Sequence, residues 1–401
     1  MNKFFCSLGY FGMALMLGCA VACSENKTAE HTTIDMIGAV NNAEPVMLSE
    51  YASAIEYLPL ELKDSAYLFS SMYMLETEGS YVFHTGNKVV NVAFYEFDKS
   101  GKYLRSVGTR GRAYGEYVHH ITLCYDAQNE NYGQLDRSKF LIYNSEGRVV
   151  ADTPLKKFRF LGFPRAYFVN GNYIVSSISM GMVNGEMTYK DILIRIDAEG
   201  QLLEDKVLSD TPIKTSTVPQ GFGGSGGISS SGNGLMIYCN DTLVRMYREN
   251  NSDTIRCLNP TTFEPHNYYL LKGVDEGVFM HKFSFMENED IIFMEVLKSA
   301  NFFPDLDENS PRKFPLIYDK SKSAARALAP DQESGTMGFV NDLDGGIPFW
   351  PSYISGNKMF RLVDAEEFIE LAAKSSSDKM KSVAENLNDE SNPVLVIVTL
   401  K

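Results

Sequence analysis

Apolar and polar residues alternate with a period of two through most of the chain, and Gly, Asn and Asp break the alternation every few residues. That pattern predicts short β-strands joined by tight turns. Ile55 to Glu61 alternates in this way, and Pro59 confines it to a sheet edge, because proline cannot donate to a central ladder. Met72 to Leu75, a polar Glu76–Gly79 turn and Tyr81 to Phe83 predict a hairpin, and a further strand spans Val89 to Phe97. From Tyr95 to Val107 two apolar-alternating runs flank Asp98-Lys99-Ser100-Gly101. Aspartate suits the first position of a type I turn and glycine the last, so this is a strand–turn–strand unit. Gly108, Gly111 and Gly115 follow in a loop that leaves one sheet for the next.

The unit recurs. Leu141 to Val150 has the same shape around Gly147, as does Leu193 to Leu203 around Gly200. A worn copy, Leu316 to Lys322, has lysine where glycine belongs. The three glycines are spaced 46 and 53 residues apart, and repeats of that length mark stacked or radial architectures. Between the copies lie more hairpins, one on the Asn170-Gly171 turn and one between Phe283–Met286 and Ile291–Val296. Four strands per period is the pattern of a propeller blade. Near the C-terminus the period changes to that of a helix. Asp364 stands at a capping position, Phe368, Leu371 and Ala372 share one face, and Met380, Val383, Ala384 and Leu387 repeat the spacing. Asn392-Pro393 ends that stretch, and Val394 to Leu400 is an almost unbroken apolar strand. The expectation is an all-β β-propeller of four-stranded antiparallel blades, seven of about 51 residues or, with long loops, six of about 60, with short C-terminal helices before the closing strand. That last strand would join a sheet begun at the N-terminus and so leave no open edge.

Charge and cysteine change the picture at the margins. The 401 residues carry 37 Lys+Arg against 51 Asp+Glu, a net −14, and no basic stripe, which argues against nucleic acid as a partner. Met1-Asn2-Lys3, an apolar stretch from Phe4 to Ala22 and an abrupt polar turn at Ser24 form a secretory signal. Its end, Ala20-Val21-Ala22-Cys23, resembles a bacterial lipobox, with Cys23 as the lipidated residue and Cys19 as a competing one. Residues 1–23 are thus expected as a lipoprotein signal peptide, 24–43 as a flexible polar tether and 44–401 as the propeller. Cys124, Cys239 and Cys257 remain in the mature chain as an odd set, expected as buried thiols.

Phe97 to Gly108, then Arg110-Gly111 and Gly115-Glu116-Tyr117, resemble the six-bladed β-propeller lipoproteins of Gram-negative bacteria, relatives of NHL-repeat and TolB-like propellers. Tyr57-Leu58-Pro59-Leu60-Glu61 is similar to their first strand. Asn341 to Gly346 with Phe349-Trp350-Pro351 is similar to a late motif, and Asn392 to Val396 to their closing strand. The chain has Ala113-Tyr114 where those proteins usually carry more glycine and a proline. The resemblance implies a cell-envelope lipoprotein at the outer membrane, on its periplasmic side or the cell surface. It implies no particular activity.

Propellers hold ligands at the mouth of their central channel. The candidate ligand-binding residues are Asp342, Asp344 and Trp350, where an indole ring and two carboxylates suit a sugar, and the loop of Arg110, Arg112, Glu116, His119 and His120. The plainer alternatives are a Gly-Gly turn shaped by the two aspartates, a core tryptophan, and an inter-blade turn with solvated charges. Pro219 to Gly227 lacks the lysine and the following helix of a phosphate cradle, and Asp305 to Asn309 lacks the glycine and closing glutamate of a calcium loop. With no zinc-binding histidine spacing and no nucleophile elbow, no catalytic residue, metal or cofactor is assigned. The expected role is a membrane-tethered, non-catalytic binding module for carbohydrate, peptide or an envelope protein. The alternatives are a hydrolase or lyase at the propeller mouth, or an envelope scaffold without a ligand.

Overall fold

The structure, a computed structural model, describes residues 30–63, 66–68, 73–85, 93–119, 122–158, 160–183, 186–212, 235–240, 243–248, 253–273, 279–298, 313–330 and 337–401. The signal segment with Cys23, the 219–227 loop, residues 301–312 and His120 lie outside them.

The N-terminal part forms strand β1 (Glu30–Asp35), helix α1 (Met36–Asn41) and, after a short 3-10 turn at Leu48–Glu50, strand β2 (Ala52–Pro59). Six four-stranded sheets then follow around an axis. Blade 1 is β3 (Tyr73–Glu76), β4 (Ser80–Thr85), β5 (Ala93–Asp98) and β6 (Tyr103–Ser106). Two short segments, β7 (Thr109–Arg110) and β8 (Glu116–Tyr117), pair within the loop to the next blade. Blade 2 is β9 (Thr122–Asp126), β10 (Asn131–Leu135), β11 (Lys139–Tyr143) and β12 (Val149–Pro154). Blade 3 is β13 (Phe160–Val169), β14 (Asn172–Val183), β15 (Glu186–Asp197) and β16 (Leu202–Pro212). Blade 4 is β17 (Leu235–Asn240), β18 (Leu243–Arg248), β19 (Thr254–Leu258) and β20 (Pro265–Lys272). Blade 5 is β21 (Phe279–Glu287), β22 (Ile291–Lys298), β23 (Lys313–Asp319) and β24 (Ala324–Ala327). Blade 6 takes β25 (Tyr353–Ser355), β26 (Lys358–Val363) and β27 (Val394–Leu400) from the C-terminus, and its outer strand is β2. Helices α2 (Ala365–Lys374) and α3 (Asp378–Ala384) fill the connection from β26 to β27.

The ring is closed as the apolar tail predicts. β27 pairs with β2 from Ala52↔Leu400 to Pro59↔Val394 and with β26 on its other side. Val394, Leu395, Val396 and Val398 are fully buried. A strand flanked by two others and covered on both faces has to be apolar at nearly every position, which is why it lacks the alternation seen elsewhere.

The recurring unit is the outer hairpin of blades 1, 2, 3 and 5. In each, an Asx side chain caps the turn: Asp98 Oδ1 accepts from Lys102 N at 3.0 Å, Asn144 Oδ1 from Arg148 N at 2.8 Å, and Asp197 Oδ1 from Gln201 N at 2.6 Å. Gly101 sits at φ 84°, and a Cβ there would stand 2.4 Å from the Pro59 carbonyl oxygen, so both the turn and the neighbouring blade exclude a side chain. In the worn copy the left-handed residue is Ser323 at φ 50°, one position beyond the expected Lys322, because that turn is one residue longer. The Asn170-Gly171 turn has φ 49° and 75°, as a two-residue hairpin with the twist of its strands requires.

Buried acids tie neighbouring blades together. Glu96 of blade 1 accepts from Ser80 Oγ, Arg105 Nε and, across to blade 2, Tyr132 OH at 2.7–2.8 Å. Glu287 of blade 5 accepts from Arg245 Nε at 2.6 Å, Arg245 Nη2 at 2.8 Å and Tyr269 OH at 3.0 Å in blade 4, and from Lys320 Nζ at 2.7 Å.

Residues 30–43, expected as part of a loose tether, are built into the fold. β1 lies parallel to β20 as a fifth strand on blade 4, from Glu30↔Asn267 to Asp35↔Lys272. Asp35 caps α1 by accepting from Gly38 N at 2.9 Å. Ile34, Met36, Ala39 and Val40 are buried with Leu271 and Tyr318, so this strap covers the joint between blades 4 and 5. The strand and the helix are each only six residues long, too short to show a period.

Candidate functional site

Each blade contributes its first strand to the axis, so residues far apart in sequence share one wall. The innermost strands enclose a cavity of about 380 Å³, the volume of a site for one small ligand. Its walls are mostly apolar and aromatic, with Tyr73 from blade 1, Tyr125 from blade 2, Tyr167 from blade 3, Tyr238 from blade 4 and Tyr353 from blade 6. Two of these rings are held in place. Tyr167 OH donates to the Ile237 carbonyl at 2.5 Å and Tyr238 OH to the Glu287 carbonyl at 3.0 Å, each reaching the next blade.

Arg165, on β13, is the cation in this wall. Its guanidinium carbon stands 4.1 Å from the centre of the Tyr73 ring, an attraction worth about 0.5–2 kcal/mol. Tyr73 is the first residue of β3, so this pair lies toward the end of the channel at which the inner strands begin. Beside it, His84 packs between Tyr73, at 5.8 Å between ring centres, and Phe94, at 4.9 Å. Burial first, and the charge of Arg165 second, push the His84 imidazole down to about 4, so it is neutral at physiological pH. Two thiols also line the cavity, Cys124 and Cys239. Desolvation pushes both well above the ordinary thiol range, which keeps them protonated and poor as nucleophiles. Among the described residues, no cluster of three or more His, Cys, Asp and Glu is placed to hold a metal ion.

The residues singled out from sequence lie elsewhere. Asp342, Asp344 and Trp350 make separate contacts, and none of them lines the channel. Asp342 accepts from Ser49 N at 2.9 Å and Ser49 Oγ at 2.5 Å. Asp344 Oδ1 accepts from Tyr57 OH, Asn341 Nδ2 and Gly346 N, and its Oδ2 accepts from Ser377 Oγ. The two carboxylates therefore bind the N-terminal turn, β2 and the start of α3 to the 341–346 loop. Desolvation and the Asp344 charge together hold the Tyr57 phenol well above its usual range. Trp350 is half-buried, stacked on Phe339 at 5.9 Å and edge-on to Phe293 at 5.9 Å.

The second group forms the passage from blade 1 to blade 2. Arg110, Arg112 and His119 are exposed there. Glu116 accepts from Ala113 N at 2.9 Å, Gly115 N donates to Asp152 at 2.8 Å, and Val118 N donates to Asp136 at 2.8 Å. The three cysteines are free thiols, with Cys239 on β17 and Cys257 on β19 separated by β18.

Sequence reading missed Arg165 and the tyrosines around the axis. The available signal was a charged residue inside an otherwise apolar first strand, Phe163-Pro164-Arg165-Ala166-Tyr167.

Fold and channel together define a six-bladed β-propeller with an aromatic central cavity. A family model described as a domain of unknown function, DUF4934, matches residues 31–399, and the chain belongs to that family. Its span takes in β1, in agreement with the strap being part of the domain. Among solved structures, a Bacteroides fragilis NCTC 9343 protein described as exported is similar over 92% of this chain and 99% of its own, with a TM-score of 0.62 and 16% identity. A member of the DUF4221 family from Bacteroides vulgatus ATCC 8482 aligns over 87% of this chain and 97% of its own, with a TM-score of 0.41 and 11% identity. No curated protein matches the chain.

Proposed function

We propose that this protein is a non-catalytic binding module of the cell envelope, held at a membrane by lipid on Cys23, and that its ligand occupies the central channel. The observation that carries the reading is the cavity itself, walled by tyrosines of which two, Tyr167 and Tyr238, already commit their hydroxyls to the next blade. Rings fixed in this way offer flat apolar contact without losing freedom on binding, which favours recognition of a small molecule. The protonated thiols and neutral His84 add no activated nucleophile to the wall. The signal segment and the Ala20-Val21-Ala22-Cys23 sequence support the anchor.

The test fills the channel. Cys239→Trp places an indole in the cavity, and its folding is checked by circular dichroism. A library of small aromatic and sugar-ring compounds is then screened by thermal shift against both proteins. Compounds that stabilise the parent are expected to lose their effect on the filled variant. Equal stabilisation of the two proteins would remove the channel as the site.

A further inference from the structure

We propose that the channel ligand is a monocarboxylate carried on a planar ring, with its carboxylate on Arg165 and its ring against the channel tyrosines. This rests on the reading of the channel as the binding site. In a chain of net charge −14, carboxylates are plentiful, and Arg105, Arg195, Arg245, Arg326 and Arg361 each reach one. Arg165 differs. Among the described residues no carboxylate pairs with it, and its contact is the face of Tyr73. A guanidinium half-buried in an aromatic wall has lost part of its hydration, and a ring quadrupole only partly replaces it. The fork of N–H donors suits the two oxygens of a carboxylate.

The charge of the ligand follows from the same count. Among the described residues lining the cavity, Arg165 is the only permanently charged side chain, and the neighbouring His84 is neutral. One cation balances one negative charge. A phosphate monoester would bring close to two into a cavity of an acidic protein, leaving the second uncompensated. A single carboxylate fits. The tyrosines opposite supply the remaining surface, and flat rings pack on flat rings with centres 4.5–7 Å apart.

The experiment uses phenylacetate, phenylacetamide and phenyl phosphate as probes, titrated into the wild-type protein, Arg165→Met and Arg165→Lys. Binding is followed by calorimetry and by ligand-observed NMR, with a melting curve for each variant. The expected result is that phenylacetate binds wild type at least ten-fold more tightly than its uncharged amide, and more tightly than phenyl phosphate. Arg165→Met should erase the preference over the amide while retaining amide binding, and Arg165→Lys should keep part of it. Equal binding of acid and amide to wild type would overturn the anion assignment while leaving the channel in place. Tighter binding of the phosphate would overturn the monoanion assignment. If acid and amide bind the filled Cys239→Trp channel as well as they bind the parent, the channel reading itself fails.

Discussion

Asp344 was visible in the sequence as a carboxylate beside the one tryptophan, in a setting that suits a sugar. In the folded chain it accepts four hydrogen bonds, from Tyr57, Asn341, Gly346 and Ser377. A carboxylate so fully occupied has little capacity left for a ligand hydroxyl. Removing it leaves several donors in a part-buried place without a partner, each a loss of about 1–3 kcal/mol before relaxation. Asp344→Ala is therefore expected to lower stability by roughly 2–4 kcal/mol in urea titration. Asp342→Ala, at an exposed position, should cost under about 1 kcal/mol. The type of a residue was legible here, but its partners were not. Ser377 and Tyr57 lie 33 and 287 positions away, beyond any local pattern. Arg165 posed the converse problem. Its neighbours in sequence say strand, and only the ring closure that brings Tyr73 against it makes it a candidate for binding.

At the scale of elements, legibility follows the strength of the backbone requirement. The outer hairpins of blades 1, 2 and 3 were readable because their turns need a left-handed residue, and glycine is the residue that takes that conformation without strain. β27 was readable because burial on both faces leaves no polar position. β1 and α1 were not. Their order comes from the blades they cover rather than from their own propensity, and helices as short as α1 do not hold on their own in water. The joint they close is apolar: Ile34 and Met36 are fully buried, and Leu271 lies under them. Deleting residues 1–43 should therefore destabilise the domain rather than trim a linker. Burial of three or four such side chains at about 1.5–3 kcal/mol each sets an upper bound on the loss. A melting temperature unchanged from that of a chain starting at residue 30 would show that the strap adds nothing.

For the whole molecule, the closure of blade 6 by β2 against β27 makes the first and last strands of the ring neighbours, so the blades cannot open independently. The closing strand was legible because it depends on one apolar segment, whereas repeat length left six and seven blades open and six came from the family resemblance. The channel was not legible, because its wall takes a few residues from each of six strands and no stretch of sequence contains it. The direction of β1 bears on the proposed lipid anchor. β20 is separated from β17 by three antiparallel pairings, so β1, parallel to β20, runs opposite to the inner strands. Glu30 thus enters at the pole where the inner strands finish, away from Arg165. Seven residues from Cys23 to Glu30 reach at most about 25 Å. A lipid-held domain would therefore rest on that pole like a cup on its base, with the Arg165 rim turned toward the aqueous compartment and its solutes. Dyes on Asn170→Cys, at a turn of the lower pole, should transfer energy to labelled lipid more efficiently than dyes on Ser106→Cys, at the rim, and Cys23→Ser should abolish transfer from both; the reverse ranking would invert the cup.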